Sequence, residues 1–378
     1  MKVLALSSYP VEAAATRFRI GQYIDPLRDK GIEIDLRPFM DRKSFSSFYS
    51  SGNRLGKALS LLPSALRRFS LVSASDYDVL FVQREAMLFG PPVFEWFLSS
   101  FKDKPLVLDL DDATYVPYES PSFGRLGSLF KSFGKVDTLI DRAEVVICGN
   151  QYIADYVQSR GGNAVILPTT VDDKIFKPAV KNERVPVLGW VGTHSTFPLL
   201  EGIFPILEHL AESHRFDLRI IGSGRRDVSL KGINVQTVDW NLEREPFDFA
   251  DIDIGLYPLS VIPNAPAEWL AGKSGFKAIQ YLAVGIPFVM TPIGVCATIG
   301  RHGATHFNAK NDEEWFEYLD VLLSNFDLRK EMGRSGRKLF VEEYNIDSNI
   351  QSMSSVLNGL FRLSDRQAHK RDDLNPFV

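Results

Sequence analysis

Short apolar runs alternate with longer helix-like segments along this sequence, and few folds accommodate that pattern. KVLAL, DVLFV and VVICG have the length of buried strands, and stretches of helical periodicity, such as residues 16–30 and 198–212, separate runs of this kind. Strands that alternate with helices pair in parallel, because each helix returns the chain to the starting edge of the sheet. The sequence therefore predicts an α/β fold built from doubly wound, Rossmann-like parallel sheets.

The alternation is interrupted once, by a segment that contains Pro168, Pro178 and the charged run KNER at 181–184. A chain of 378 residues is long enough for two domains. We therefore predict one domain over residues 1–180, a second over 181–345, and a C-terminal helix with a frayed tail over 346–378 that packs back towards the first domain. Two such domains imply a cleft that faces the carboxyl ends of both sheets.

Composition excludes several classes of protein. The formal net charge of -4 disfavours nucleic acid as a partner. Cys148 and Cys296 are the only cysteines and lack metal-ligand spacing, which argues against a disulfide framework or a zinc site and fits a reducing cytoplasm. The first apolar run is too short for a secretory signal, and no run is long enough to span a membrane. We therefore expect a cytoplasmic protein.

Two turns of the second domain have the composition of phosphate-binding loops. GTHSTFP follows a predicted strand, and IIGSGRRD ends the next one. Glycine lets the backbone approach a phosphate, hydroxyls and the amides at a helix start donate to it, and a guanidinium suits a diphosphate. Ordinary capped turns and solvated arginines are the alternatives. The candidate donor-binding residues in these turns are Gly192, Thr193, His194, Ser195, Gly222 and Arg225.

The segment EWLAGKSGFKAIQYL gives the strongest signal of an anion site. Lys273 and Lys277 flank Gly275 at the start of a predicted helix, and Gln280 lies on the same helical face as Lys277. Lysines at a helix N-terminus oppose the helix dipole, which costs about 0.3–1 kcal/mol each unless an anion offsets it. The pattern therefore indicates a phosphate.

This segment, with IDIGLYPL before it and GVCATIGRHGATHF and RKEMGRSGRKLFVEEYN after it, resembles the C-terminal half of retaining glycosyltransferases of the GT-B fold, in the large family four. The likeness covers about residues 185–345; TRFRIGQYIDPLRDKGIEID and LDLDDATY are similar to a subgroup of bacterial surface-polysaccharide transferases. It implies that the second domain binds a nucleotide sugar and the first binds the acceptor. The residues assigned require no metal and no further cofactor.

The chain departs from that family at one point. Most members carry a pair of glutamates across the glycine-rich turn, and these fall on Gly272 and Gln280 here. Gln280 can still hydrogen-bond ribose hydroxyls, although as a neutral group, whereas Gly272 has no side chain; Lys273 is the candidate to replace it beside the leaving phosphate. Trp240 either lines the base pocket or packs in the core.

Asp109, Asp111 and Asp112 end another predicted strand, in the stretch KPLVLDLDDATYVP, with no basic residue among them. One interpretation is a D-x-D motif that holds a divalent cation. A second is the strand-end motif of haloacid-dehalogenase-type phosphatases, in which the first aspartate is a nucleophile. In the third, which the phosphate signals of the second domain favour, these carboxylates bind acceptor and sugar, and their mutual repulsion raises the pKa of one. Asp112 can also simply cap the next turn.

The first domain contains no histidine, so a base there is a carboxylate, unless the leaving phosphate accepts the proton. Arg17 and Arg19 follow the first strand and are candidates to bind an anionic acceptor or the donor phosphate, with an exposed helix start as the alternative.

Residues 42–70 contain six basic residues and no acidic one, interleaved with Leu and Phe. Such a segment fits peripheral contact with an anionic membrane, at the inner face of the cell membrane, or a solvated basic face over a core helix.

Together these features predict transfer of a sugar from a nucleotide diphosphate sugar to a glycan or lipid-linked saccharide. The resemblance implies retention and a role in bacterial cell-surface polysaccharide or lipopolysaccharide synthesis. Two alternatives stay open. A nucleotide-sugar epimerase or hydrolase would use the same fold, and a non-catalytic sugar-nucleotide binding protein would explain Gly272 and Gln280.

Overall fold

The computed structural model describes residues 1–49, 61–71, 77–101, 104–117, 132–260 and 266–373, with only the backbone described at 46–49, 98–101 and 362–373. The chain divides into two compact units. The first contains Met1–Thr169 and the chain from Asp347 onward, and the second contains Thr170–Ile346.

The boundary between the units therefore falls earlier than the predicted 180/181. Residues 170–180 belong with the second unit for a physical reason: the Phe176 ring packs at 6.0 Å from the Phe249 ring. The Arg337 guanidinium also donates to the Phe176 carbonyl at 3.0 Å. The proline-rich segment is thus the first part of the second unit.

The first unit contains one parallel sheet. Its strands are β1 (Lys2–Ser7), β2 (Glu33–Pro38), β3 (Val79–Gln83), β4 (Leu106–Leu110), β5 (Val145–Cys148) and β6 (Ala164–Ile166). Their order is β2-β1-β3-β4-β5-β6, and every neighbouring pair is parallel. Strands β3, β4 and β5 are buried along their whole length, which explains why they appear in the sequence as continuous apolar runs.

The helices described in this part of the chain are α1 (Ala14–Arg19), α2 (Ile24–Arg28), α3 (Arg42–Tyr49), α4 (Leu62–Ser70), α5 (Val93–Phe101), α6 (Lys135–Arg142) and α7 (Gln151–Ser159). The predicted helix over 16–30 is instead α1, a 3-10 turn at Gly21–Tyr23, and α2. Pro26 lies in the first turn of α2, and its ring would collide with the carbonyl four residues earlier in a continuous helix.

The second unit repeats this architecture. Its strands are β7 (Val187–Val191), β8 (Asp217–Ile221), β9 (Asn234–Val238), β10 (Ile254–Tyr257), β11 (Phe288–Met290) and β12 (Phe307–Asn308). They form a parallel sheet in the order β12-β11-β10-β7-β8-β9. Leu188, Leu218 and Ile254 lie at the centre of a core that helix side chains complete.

The helices of the second unit are α8 (Phe197–Glu201), α9 (Phe204–Leu210), α10 (Glu245–Ala250), α11 (Ala267–Ala271), α12 (Phe276–Ala283), α13 (Asp312–Ser324) and α14 (Phe326–Glu343). The predicted helix over 198–212 is divided into α8 and α9. The reason is again a proline, because Pro205 lies in the first turn of α9.

The last helix, α15 (Ile346–Asp373), returns to the first unit. The Asn349 amide donates to the Pro168 carbonyl at 2.7 Å and to the Tyr23 hydroxyl at 3.2 Å. Met353 and Leu357 are buried on the same helix. Two six-stranded parallel sheets flanked by helices confirm the predicted fold class.

Candidate functional site

Three loops meet at the carboxyl edge of the second unit's sheet, because β7, β8 and β9 are neighbours. The backbone of Gly222, in the loop after β8, lies against the loops that follow β7 and β9. Its N–H donates to Val238, and a Cβ at this position would lie 2.5 Å from the Gly192 carbonyl oxygen and 3.3 Å from the Trp240 Cβ. With φ at +81°, Gly222 also has a backbone conformation that other residues rarely adopt. The half-buried Trp240 and the two glycine turns thus form one surface.

The loop after β7 presents polar groups at this surface. Thr193, His194 and Ser195 are exposed, and the hydroxyls of Thr193 and Ser195 lie 2.8 Å apart. The Thr196 hydroxyl oxygen accepts the Thr193 N–H at 3.1 Å. The loop therefore has a fixed turn at its base and exposed hydroxyls at its tip.

The loop after β8 contributes a cation beside those hydroxyls. The Arg225 guanidinium lies 5.7 Å from the centre of the Phe197 ring, in the helix that the first loop enters. Arg226 instead pairs with Asp239 at 3.0 Å, with both side chains exposed. Arg225 is therefore the arginine that belongs with the loop after β7.

The lysine-rich turn lies at the start of α12, which follows β10 and precedes β11 and so begins at the same sheet edge. Both lysines are half-buried. The Lys273 ammonium lies 3.6 Å from the Trp269 ring centre, and Lys277 donates to the Gln280 amide oxygen at 3.0 Å. Gly275 has φ at +64°, so the turn needs glycine there. Aromatic rings and an amide hold the two ammonium groups at the helix start.

Gln280 lies where the resemblance places a ribose-binding residue, but the structure buries it completely. Its amide nitrogen donates to the Glu245 carboxylate at 3.3 Å. Glu245, in the first turn of α10, is only 3% exposed. Gln280 therefore links Lys277 to Glu245 inside the protein. Glu245 was not among the predicted site residues, because nothing around it in the sequence signals a partner in another helix.

The three aspartates at the end of β4 are each paired with an arginine from elsewhere in the chain. Both carboxylate oxygens of Asp109 accept from the Arg19 Nε–H at 3.1 Å, and the Arg19 Nη2 group donates to the same carboxylate. Arg84 donates to both oxygens of Asp111, at 2.5 and 2.6 Å, and to Asp112 at 3.0 Å. Arg84 has φ at +62°, which is uncommon for a residue other than glycine.

The pKa values of these carboxylates follow from burial and from the arginines. Burial raises the pKa of Asp109, and the charge of Arg19 opposes that shift. Burial also acts to raise the pKa of Asp111, but the charges of Arg84 and Arg19 outweigh it and lower the pKa. Repulsion between carboxylates, the cause proposed from the sequence, is a smaller contribution. Asp112 is the most accessible of the three, with a side chain 20% exposed.

The two candidate anion-binding arginines have different environments. Arg19 is buried, and it also donates to the Leu167 carbonyl at 2.6 Å, so its guanidinium binds Asp109 and the backbone. Arg17 is half-buried and donates to the carbonyls of Val11 and Glu12.

No protein-family model matches the chain, and no curated protein matches it either. Among solved structures, sucrose-phosphate synthase from Thermosynechococcus elongatus is 13% identical, with a TM-score of 0.65, over 96% of this chain and 100% of that chain. HepE from Anabaena in complex with UDP and glucose is 15% identical, with a TM-score of 0.65, over 95% and 100%. An alpha-glucosyltransferase in complex with UDP is 14% identical, with a TM-score of 0.62, over 95% and 100%. The chain thus has the GT-B fold; membership of family four stays a prediction.

Two further observations concern only the part of the chain that the structure describes. No helix there combines the length and the apolar character needed to cross a membrane. No group of three or more His, Cys, Asp or Glu side chains there is arranged to hold a metal ion.

Proposed function

We propose that this protein is a glycosyltransferase that moves a sugar from a nucleoside diphosphate sugar, with UDP as the nucleotide, to a saccharide or lipid-linked saccharide acceptor. The observation that carries the proposal is the meeting of two glycine turns, a tryptophan and a lysine-rich helix start at one sheet edge. HepE, solved with UDP and glucose, and the alpha-glucosyltransferase, solved with UDP, share this fold.

The second unit offers what a nucleoside diphosphate needs. Lys273, Lys277 and Arg225 supply positive charge for the phosphates, and charged donors form the stronger hydrogen bonds. The hydroxyls of Thr193 and Ser195 supply neutral donors. Trp240 offers a ring face for the base. In this scheme the cations stabilise the negative charge that develops on the departing diphosphate.

The first unit provides the acceptor site in this proposal. Asp112, the most accessible of the three aspartates, accepts a hydrogen bond from the acceptor hydroxyl, and Arg84 orients it. The acceptor oxygen forms a bond to the anomeric carbon on the same face from which the diphosphate departs, so that the anomeric configuration is retained. The hydroxyl proton passes to the leaving phosphate oxygen or to the carboxylate. We place this reaction in bacterial surface-polysaccharide synthesis, at the inner face of the membrane.

Nucleotide binding is the first test. The full chain is titrated with UDP, GDP, ADP, CMP and dTDP, with and without EDTA, by calorimetry and thermal unfolding. A ligand at 100 times its dissociation constant stabilises the folded state by about 2.7 kcal/mol. We expect UDP to bind without metal and to raise the melting temperature most. Absence of binding by every nucleotide contradicts the proposal, and binding that requires Mg²⁺ contradicts the metal-free site.

A binding protein without transferase activity is the second candidate, because Gly272 has no side chain and Gln280 is buried. Turnover separates the two. Asp112→Asn should reduce sugar transfer from UDP-sugar at least about tenfold, because it replaces the charged oxygen that accepts the hydrogen bond from the acceptor hydroxyl by a neutral one. UDP affinity should be unchanged. UDP binding by the parent protein with no transfer to any saccharide favours the binding protein.

A further inference from the structure

Helix α4 has its polarity reversed relative to an ordinary surface helix. Leu62, Leu66 and Phe69, which we call the outward stripe, are 57%, 73% and 53% exposed. Their spacing places them on one face of the helix. The opposite face carries Ser64 and Arg68, both buried. A surface helix normally buries its apolar stripe and exposes its charges, so α4 requires an explanation.

The buried arginine fixes this orientation. Arg68 donates to the Arg37 carbonyl at 2.7 Å and to the Ser7 carbonyl at 2.9 Å, at the ends of β2 and β1. Its guanidinium also lies 5.9 Å from the rings of Phe39 and Phe94. Rotating the helix to bury the stripe would break these contacts, so the stripe is held outward.

Helix α5 extends the apolar surface. The Phe69 and Phe94 rings pack edge to face at 6.0 Å, which joins the two helices. Val93 and Trp96 on α5 are 58% and 43% exposed. The outward stripe, Val93 and Trp96 together form what we call the α4–α5 surface. Several large apolar side chains on adjoining helices exceed the scattered exposure that is normal for a soluble protein.

The residues around this surface are basic, which indicates that its partner is negatively charged. Arg42, Lys43, Arg67 and Arg142 are exposed, and the Arg142 guanidinium lies 5.8 Å from the centre of the Trp96 ring. Arg67 on α4 pairs at 3.2 Å with Asp41, which directly precedes Arg42 and Lys43, and Arg42 lies 3.5 Å from the Glu12 carboxylate. Apolar side chains with a tryptophan among them, bordered by lysine and arginine, are the combination that binds an anionic lipid interface. A second copy of the chain would bring its own basic rim against this one, so like charges would meet.

We infer that the α4–α5 surface docks on an anionic phospholipid membrane, with Leu62, Leu66, Phe69 and Trp96 in the interface and the basic rim against the headgroups. The inference does not depend on the proposed transferase activity. Residues 50–60, which complete the basic segment, lie outside the described part of the chain.

Vesicle co-sedimentation of the full chain tests it. Vesicles of phosphatidylcholine mixed equally with phosphatidylglycerol are compared with vesicles of phosphatidylcholine alone. We expect binding to the anionic vesicles and a decrease with added salt. Leu62→Ser with Leu66→Ser should weaken binding at least about tenfold, from the loss of apolar burial. Arg42→Ala with Lys43→Ala should weaken it by roughly fivefold per charge.

The matched control is Ile175→Ser with Phe247→Ser, two exposed apolar residues of the second unit, 57% and 69% exposed. This control should bind like the parent. Brominated lipid should quench tryptophan fluorescence in the parent, and Trp96→Phe should remove that quenching while binding is retained.

Three results would overturn the inference. The parent protein does not bind anionic vesicles; the Leu62/Leu66 variant binds as well as the control; or sedimentation velocity shows a parent dimer that this variant dissociates, in the absence of vesicle binding. The assay contains no nucleotide, so each of these results leaves the proposed nucleotide binding and sugar transfer standing and removes only the placement of the reaction at the membrane.

Discussion

His306 is a buried histidine, and its surroundings stabilise the neutral form of the imidazole ring. It is 1% exposed, its ring stacks at 4.8 Å on Phe288, and its two nitrogens lie within hydrogen-bond distance of Thr305 and Asn308. Burial lowers the pKa of His306 to about 4, against the opposing effect of the bond with Asn308. As the pH falls, His306 therefore takes up a proton near its ordinary pKa of about 6.5 in the unfolded chain. In the folded chain it does so only at a lower pH.

The difference between the folded and unfolded pKa of His306 determines how the stability of the protein changes with pH, and over which pH range. Because the folded pKa is lowered, the stability due to His306 is complete above about pH 6.5 and is lost as the pH falls towards 4. We expect the parent to lose about 2 kcal/mol more than His306→Gln between pH 7 and pH 5. Urea unfolding of both proteins at pH 7 and at pH 5 measures these losses in the free energy of unfolding. Equal losses would mean that His306 titrates normally in the folded state.

The lysines at the start of α12 lead to a prediction about nucleotide binding. Lys273→Ala and Lys277→Ala should each weaken UDP binding by about tenfold to a hundredfold, because each removes a charged contact to phosphate. Binding of uridine should hardly change. Lys338→Ala, whose side chain is 77% exposed on α14, is the control for a general loss of charge. Calorimetric titration with UDP and with uridine measures the affinity of all three variants. If a lysine variant bound both ligands more weakly to the same extent, that lysine would not contact the phosphates.

The sequence predicted the strands better than the limits of the helices. A buried parallel strand is a continuous apolar run, so β3, β4 and β5 were visible in the sequence. The breaks between α1 and α2 and between α8 and α9 were missed, although Pro26 and Pro205 signal them. Periodicity continues across such a break, because both pieces bury the same side of the chain. Proline position was therefore the better guide.

Two glycines on different helices predict opposite effects of one substitution. A Cβ at Gly333 in α14 would lie 2.1 Å from the Gly285 carbonyl oxygen, whereas a Cβ at Gly359 in α15 would meet nothing within 4 Å. Gly333→Ala should therefore destabilise the protein by about 1–3 kcal/mol. Gly359→Ala should stabilise it by about 0.5–1 kcal/mol, because alanine favours the helix. Urea unfolding gives both values, and effects of the same sign would contradict this packing.

The sequence predicted the fold class but not the side-chain pairs that form between distant parts of the chain. The Arg19–Asp109 pair joins residues 90 apart, and the Gln280–Glu245 bond joins two helices 35 residues apart. Neither separation follows from the period of a helix or a strand, because such contacts depend on how the helices and strands pack against each other. For the same reason the sequence suggested an uncompensated group of aspartates, and the arginines became visible only in the fold. Burial of Arg19 and Gln280 likewise depends on tertiary packing.

The assignment of α15 to the first unit leads to a prediction about where the effect of a substitution spreads. Leu357 on α15 is 1% exposed, and Leu357→Ala should cost about 2–5 kcal/mol. Because α15 packs with the first unit, amide hydrogen exchange should accelerate within residues 1–169. Leu319→Ala is the matched control: Leu319 is completely buried in the second unit, so exchange should accelerate within 170–346 instead. If Leu357→Ala accelerated exchange mainly within 170–346, α15 would belong to the unit that precedes it in the chain.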